Sequence, residues 1–208
     1  VLNFTINRVI EIFGIFVLFA GILLLISLIS YSPDDPNFIF PENTKINNLL
    51  GFQGSFTADL FFQSIGLIAL LIPFSFIFTG INIILNKKVI LLIESFFYTI
   101  IYSLFGSLFF SFFYPNAFKF YINGNGGFVG KYLESTFLKS LINFQPNISF
   151  YVLILIVLTI FLISIQFKIN SFNNFVKKIF IFLFLKKEKN YTNENEIINE
   201  FIPQEEIT

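Results

Sequence analysis

Cysteine, histidine, methionine and tryptophan are all absent from or unused by this chain of 208 residues. The first two absences remove disulfides, thiol chemistry and the commonest metal ligands, and with them any Ser-His or Cys-His pair for nucleophilic catalysis. Charge is scarce as well. Only 12% of the residues are Asp, Glu, Lys or Arg, against the ~25% of an ordinary soluble domain. The 13 basic and 13 acidic residues cancel, so no basic field exists to hold a nucleic acid. What is abundant is apolar: 55% of the residues are hydrophobic, with 34 Phe in the chain, and the mean hydropathy is +0.79. Together these exclude a cytosolic globule, a disordered tail and a disulfide scaffold. They indicate a membrane protein that is not an enzyme in the form given. The excess of Phe, Ile, Asn and Lys over Ala and Arg reads as nucleotide-composition bias rather than as an aromatic binding surface.

Crossing a hydrocarbon core of ~30 Å takes about 20 helical residues, and four runs are long enough. They are Val9 to Tyr31, Leu60 to Leu85, Val89 to Tyr114, and Phe150 to Ile169. The first is too long for the core of a signal peptide, and Ser30-Tyr31-Ser32-Pro33 is a poor cleavage site. Strand-length alternation, the mark of a barrel, is missing. The fold class is therefore an all-α membrane protein with four transmembrane helices. Residues 1–8 form a short N-terminus, 32–59 and 115–149 two outer loops, and 86–88 a tight turn. Residues 170–185 form an interfacial amphipathic helix, because Phe172, Phe175, Val176, Ile179, Phe180 and Leu183 share one face and Asn173, Asn174, Lys177 and Lys178 the other. Residues 186–208, with six Glu, form a disordered linker.

Charge sets the sides. Arg8, Lys87, Lys88 and six Lys after the fourth span make nine basic residues at one end, against Lys45, Lys119, Lys131 and Lys139 in the loops. By the positive-inside bias both termini are cytoplasmic and both loops face outward.

Few residues carry candidate chemistry. The segment from Gly124 to Lys131 has the look of a phosphate-binding loop, but that motif needs four residues between its first Gly and its Gly-Lys pair. Asn125 stands at the first of these Gly positions, and Tyr132 stands where Ser or Thr should follow. A turn leading into a helix near Phe128 fits better. Glu11 and Glu94 are carboxylates inside apolar runs, where such groups are functional candidates by default. Both lie within two turns of the basic end, so anchoring by Arg8 and Lys88 is the favoured reading over a proton pathway. Asp59 is read as the cap of the second span, and Pro73 as the cause of a kink in it. Ser103, Ser107 and Ser111, and likewise Gly14 and Gly21, mark faces of close helix approach. For the serines, a contact between subunits is slightly favoured over one within the bundle. No catalytic, cofactor-binding or metal-ligating residue is assigned.

Several short motifs recur at a familiar spacing. Glu11-Ile12-Phe13-Gly14 enters the first span and Ser30-Tyr31-Ser32-Pro33-Asp34-Asp35-Pro36 leaves it. Asn48-Leu49-Leu50-Gly51, Gly54 and Ala58-Asp59 lead into the second, where Gly66, Ala69, Pro73 and Gly80 follow, and Gly126-Gly127 and Gly130 lie in the second outer loop. In these, residues 8 to 170 resemble the N-terminal four-helix membrane region of FtsK/SpoIIIE-type DNA translocases. The resemblance implies a membrane anchor in the bacterial inner membrane at the division septum, hexameric assembly, and septum proteins as partners. It implies DNA contact only through a cytoplasmic motor, which this chain does not contain along with its winged-helix module. The chain is then either a fragment or one whose motor is encoded separately. The rival readings are a small four-helix transporter or channel subunit, with Glu11 and Glu94 handling ions, and a structural accessory subunit of a membrane complex.

Overall fold

The computed structural model describes residues 2–36, 45–115 and 123–167, and every regular element among them is helical. Four helical stretches are long and apolar enough to cross a membrane. Helix is the form these runs take, despite their many β-branched residues, because in lipid each backbone N–H and C=O must find its partner within its own segment. Helix α1 (Leu2–Ile29) starts before the apolar run, since nothing in Asn3 to Arg8 breaks it. It stops ahead of Pro33, and Ser30 Oγ closes its last turn on the Ile26 carbonyl at 2.6 Å.

The second span is longer than its apolar run. It comprises α2 (Gly51–Ile65), a 3-10 segment (Gly66–Leu71) and α3 (Ile72–Asn86), 36 residues in all. The first long loop therefore ends at Leu50, and Asp59 is not a cap but a buried residue in the middle of α2. The start is fixed further upstream by Asn48, whose carbonyl accepts the Gly51 N–H at 2.9 Å and whose Oδ1 accepts the Leu50 N–H at 3.1 Å. Pro73 is not the break either. The break is at Gly66, with φ 72°, a conformation that a residue with a Cβ rarely adopts. Pro73 sits in the first turn of the restarted helix, where its missing N–H leaves no bond unmade.

Lys87, in the left-handed region at φ 56°, ends α3, and after Lys88 and Val89 α4 (Ile90–Phe113) runs back. The second long loop holds α5 (Gly127–Glu134), which starts where the glycine-rich turn predicts, and α6 (Leu138–Phe144). Helix α7 (Pro146–Ser164) opens on a proline and so begins ahead of the expected span. The expected interfacial helix (170–185) and linker (186–208) lie outside the described residues.

Helix α1 lies on α3 and α7 on α4, with α3 beside α4 between them. Small residues set the first contact. A Cβ on Gly80 would stand 2.6 Å from the Leu18 nitrogen, and one on Gly21 2.9 Å from the Ile77 nitrogen. The α4–α7 side is filled by rings and aliphatics. Tyr102 meets Phe161 edge-on at 5.6 Å, and Phe109 meets Phe150 at 5.3 Å. Phe16, Phe19, Ile93, Phe97 and Leu155 remain exposed on the outside of the bundle, as apolar residues facing lipid do.

Candidate functional site at the loop end of the bundle

The motifs that stand apart in the sequence meet in one layer, at the end of the bundle opposite the Asn86-Lys87-Lys88 turn. Asp35, buried, accepts the backbone N–H groups of Asn47 and Asn48, each at 2.8 Å. The Asn48 amide then reaches α1, donating to the Ser27 carbonyl at 2.9 Å and the Ser30 carbonyl at 3.2 Å. Ser27 donates in turn to the Gly54 carbonyl at 2.6 Å, and Ser55 to the Pro36 carbonyl at 3.2 Å. Gly54 has no side chain because the Asn48 amide and Leu50 occupy its place. The result is a clamp in which a carboxylate and an amide supply the partners that irregular backbone cannot supply for itself.

The glycine-rich loop fills the break in the second span. At the break the Ile65 carbonyl accepts the Ser107 hydroxyl at 2.8 Å, while the Leu67 N–H donates to the Asn125 carbonyl at 2.9 Å. Asn125 is fully buried, and its amide donates to the Tyr114 carbonyl at the end of α4. Gly127, at φ 63°, would put a Cβ 2.6 Å from the nitrogens of Ile65 and Gly66. A Cβ on Gly126 would stand 2.7 Å from the Ser111 nitrogen. Asn123 bonds Gln63 twice, at 3.2 and 3.3 Å. The N–H groups of Gly127 and Gly130 are engaged with Gly124 and Gly126 carbonyls, each at 3.1 Å. They are therefore not turned outward as a phosphate cradle would need.

The serine stripe belongs to this assembly. Ser103, Ser107 and Ser111 are buried within the chain, and Ser111 donates to Glu134 of α5 at 2.8 Å. The contact they serve lies inside the bundle and not between subunits, because the glycine loop and α5 already cover that face. Gly14 and Gly21 likewise pack on α3.

The remaining polar residues lie lower. Ser164 of α7 stands within hydrogen-bond reach of Ser75 at 3.0 Å, Thr99 at 3.1 Å and Ser95 at 3.3 Å. Thr79 donates to Ser95 at 2.6 Å, and Ser75 shares a bond with Tyr102 at 3.0 Å. Six hydroxyls thus join α3, α4 and α7. At the turn end Glu11 pairs with Arg8 at 2.5 Å and with Lys87, the neighbour of the expected Lys88. Glu94 is exposed on α4 and pairs with nothing among the described residues. The two carboxylates are not brought together. Among the described residues no group of three or more His, Cys, Asp or Glu could hold a metal ion.

Sequence reasoning missed both the clamp and the glycine plug, for the partners of Asp35 and Asn125 are backbone groups distant in the chain. The available signal was the run of Asp, Asn and Gly in loops of a chain otherwise short of polar residues. Residues 7–179 match the family described as the 4TM region of DNA translocase FtsK/SpoIIIE. The chain is similar to DNA translocase FtsK of Rickettsia bellii (strain RML369-C), 39% identical over 62 residues, which is 30% of this chain and 8% of that protein. It is also similar to DNA translocase FtsK of Rickettsia typhi (strain ATCC VR-144 / Wilmington), 37% identical over 62 residues with the same shares of 30% and 8%. Only this small part of each relative is therefore spanned. No solved structure matches the chain.

Proposed function

The chain belongs to the family of the 4TM region of DNA translocase FtsK/SpoIIIE, and we propose on that premise that it tethers a cytoplasmic DNA-pumping motor at the division septum. The observation that carries this reading is the extent of the match, residues 7–179, which takes in all four spans and both loop-end motifs. A motor that pulls on DNA is useful at a septum only if its base does not slip through the membrane. The clamp and the glycine plug resist slipping by tying α1, α2, α4 and α5 with directional hydrogen bonds.

The basic end is assigned to the cytoplasm from the nine-to-four division of Lys and Arg. In the same reading the bacterial inner membrane is the site, septum proteins meet the outer loops, and DNA is touched only by the motor. Assembly into a hexamer would gather motors at high local concentration. The transporter reading gains no comparable support. Glu11 is already neutralised by Arg8 and Lys87, and the buried carboxylates among the described residues, Asp35 and Asp59, both stand at the loop end.

Two experiments test the proposal. Reporter fusions after Glu42 and after Asn143 should be active only outside, and one after Lys189 only inside; a cytoplasmic signal from either loop fusion overturns the topology. A fluorescent fusion of the chain, in dividing cells of its own host, should gather at midcell as constriction begins. Uniform membrane fluorescence through division would remove the septal part of the reading.

A further inference from the structure

The two buried carboxylates of the loop end differ in their surroundings. Asp35 is saturated by backbone N–H groups. Asp59 is only 6% exposed, and its bonds converge on one oxygen: Oδ1 accepts from the Tyr31 hydroxyl at 3.1 Å and from the Gln63 amide at 3.4 Å. No Lys or Arg pairs with it among the described residues. Both donors are neutral and one is long, so this largely buried carboxylate meets no opposite charge from them. Asp59 is also a wall of a pocket of about 400 Å³, with Phe56, Leu60 and Phe128 as its apolar walls and Gln63, Ser64 and Asn123 as its polar ones. A carboxylate that pairs with no cation among the described residues, beside aromatic rings that themselves favour cations, suits an organic ammonium.

Depth selects the source. About 20 residues cross the hydrocarbon. Counted back from the turn that follows Asn86, they reach Gly66, where the glycine plug begins. Asp59 lies two helical turns beyond, at the level of the lipid headgroups. Leu60 and Phe128, at the rim, are more than half exposed, as side chains bordering lipid can be. We propose that this pocket takes the primary ammonium headgroup of an aminophospholipid such as phosphatidylethanolamine, with Asp59 as its counter-ion. Asp59 and the Ser64 hydroxyl are the polar atoms it would meet, and the acyl chains would run down beside Leu60.

The test uses the full chain in mild detergent with an equimolar mixture of phosphatidylethanolamine, phosphatidylcholine and phosphatidylglycerol, read by native mass spectrometry. Phosphatidylethanolamine should be retained on the order of tenfold over the other two, the ratio that one charge-assisted hydrogen bond supplies. Asp59→Asn keeps an acceptor for Tyr31 and should abolish the preference while leaving the melting temperature in phosphatidylglycerol unchanged. Should that variant fail to fold, Phe128→Ala, which touches only the exposed rim, should still lower the preference several-fold. Equal retention of the three lipids overturns the proposal. So does equal retention of phosphatidylcholine and phosphatidylethanolamine, since a quaternary headgroup has no N–H to donate. Displacement of phosphatidylethanolamine by a lysine-rich peptide but not by free ethanolamine would also overturn it, by assigning the pocket to a protein partner.

Discussion

The loop end and the membrane-embedded interior of this bundle are both held by polar groups, but of opposite kinds. At the loop end, side chains bond to backbone: Asp35 to two N–H groups, Asn48 to two carbonyls, Ser107 to the Ile65 carbonyl at the helix break. In the interior, hydroxyls bond mostly to one another, Ser164 with Ser75, Ser95 and Thr99. The first arrangement is dictated by irregular backbone, whose groups have no other partner. The second joins helices that are already complete. Each loop-end residue that bonds backbone should therefore be hard to replace, and each interior hydroxyl should be nearly interchangeable.

The largest effect that would sharpen this contrast is expected at Gly127. It combines φ 63° with contacts that a Cβ would make at 2.6 Å. Strain and overpacking each cost about 1–3 kcal/mol, so Gly127→Val should lose roughly 4 kcal/mol or fail to accumulate. Thermal unfolding in detergent reads this directly, and a fully stable variant would mean that the plug is not seated in the break. Next comes Asp35→Ala. The buried Asn48 N–H and the part-buried Asn47 N–H lose a charged acceptor, at about 1–3 kcal/mol for a buried group and less for the other, for an expected total near 3 kcal/mol. Asp35→Asn should recover part of this, since one amide oxygen can still accept. Equal losses for the two variants would show that volume matters here and bonding does not.

The same contrast explains what was legible in the sequence. Four spans could be read because hydropathy and length are local properties, and the glycine-rich turn announced the start of α5 to within a residue. The second span is longer than its apolar run suggests because Gln53, Thr57 and Asp59 look like loop residues in a hydropathy profile. Their polarity is accommodated, since Thr57 donates to the Gln53 carbonyl and Asp59 accepts from Tyr31. Pro73 drew the kink away from Gly66 because a proline is conspicuous by type, whereas a glycine matters by its φ, which the sequence does not display. The serines of α4 were visible as a stripe, but the direction of a stripe depends on what packs against it. Here that is a loop some 20 residues farther along, and no periodicity within α4 could point to it.

A smaller effect is expected from Ser164→Ala. Ser164 is the hub of the hydroxyl cluster, yet an interhelical hydrogen bond between such groups in a membrane averages only ~0.6 kcal/mol, because the separated helices also find partners. Several bonds are lost at once, and about 1 kcal/mol is the expected cost. A loss as large as that of Asp35→Ala would break the comparison, by showing that the interior network is as exacting as the clamp.

The smallest effect is expected at the turn end, where two carboxylates of the same apolar setting separate by their partners. Glu94 is exposed and joins no pair among the described residues, so Glu94→Gln should leave stability within about 0.5 kcal/mol. Glu11 bridges Arg8 on its own helix and Lys87 at the end of α3, which makes it an ionic link between the start of α1 and the tight turn. Exposed pairs of this kind are screened by salt. Glu11→Gln should therefore hasten protease cutting near Arg8 at low ionic strength, and the difference from the parent chain should shrink as salt is raised. Glu94→Gln should show no such dependence. Were the two carboxylates instead members of one ion pathway, both substitutions would change ion flux in reconstituted vesicles while cutting near Arg8 stayed as in the parent. That pattern would displace the anchor reading of Glu11, since a tether needs its charge only to hold Lys87 in place.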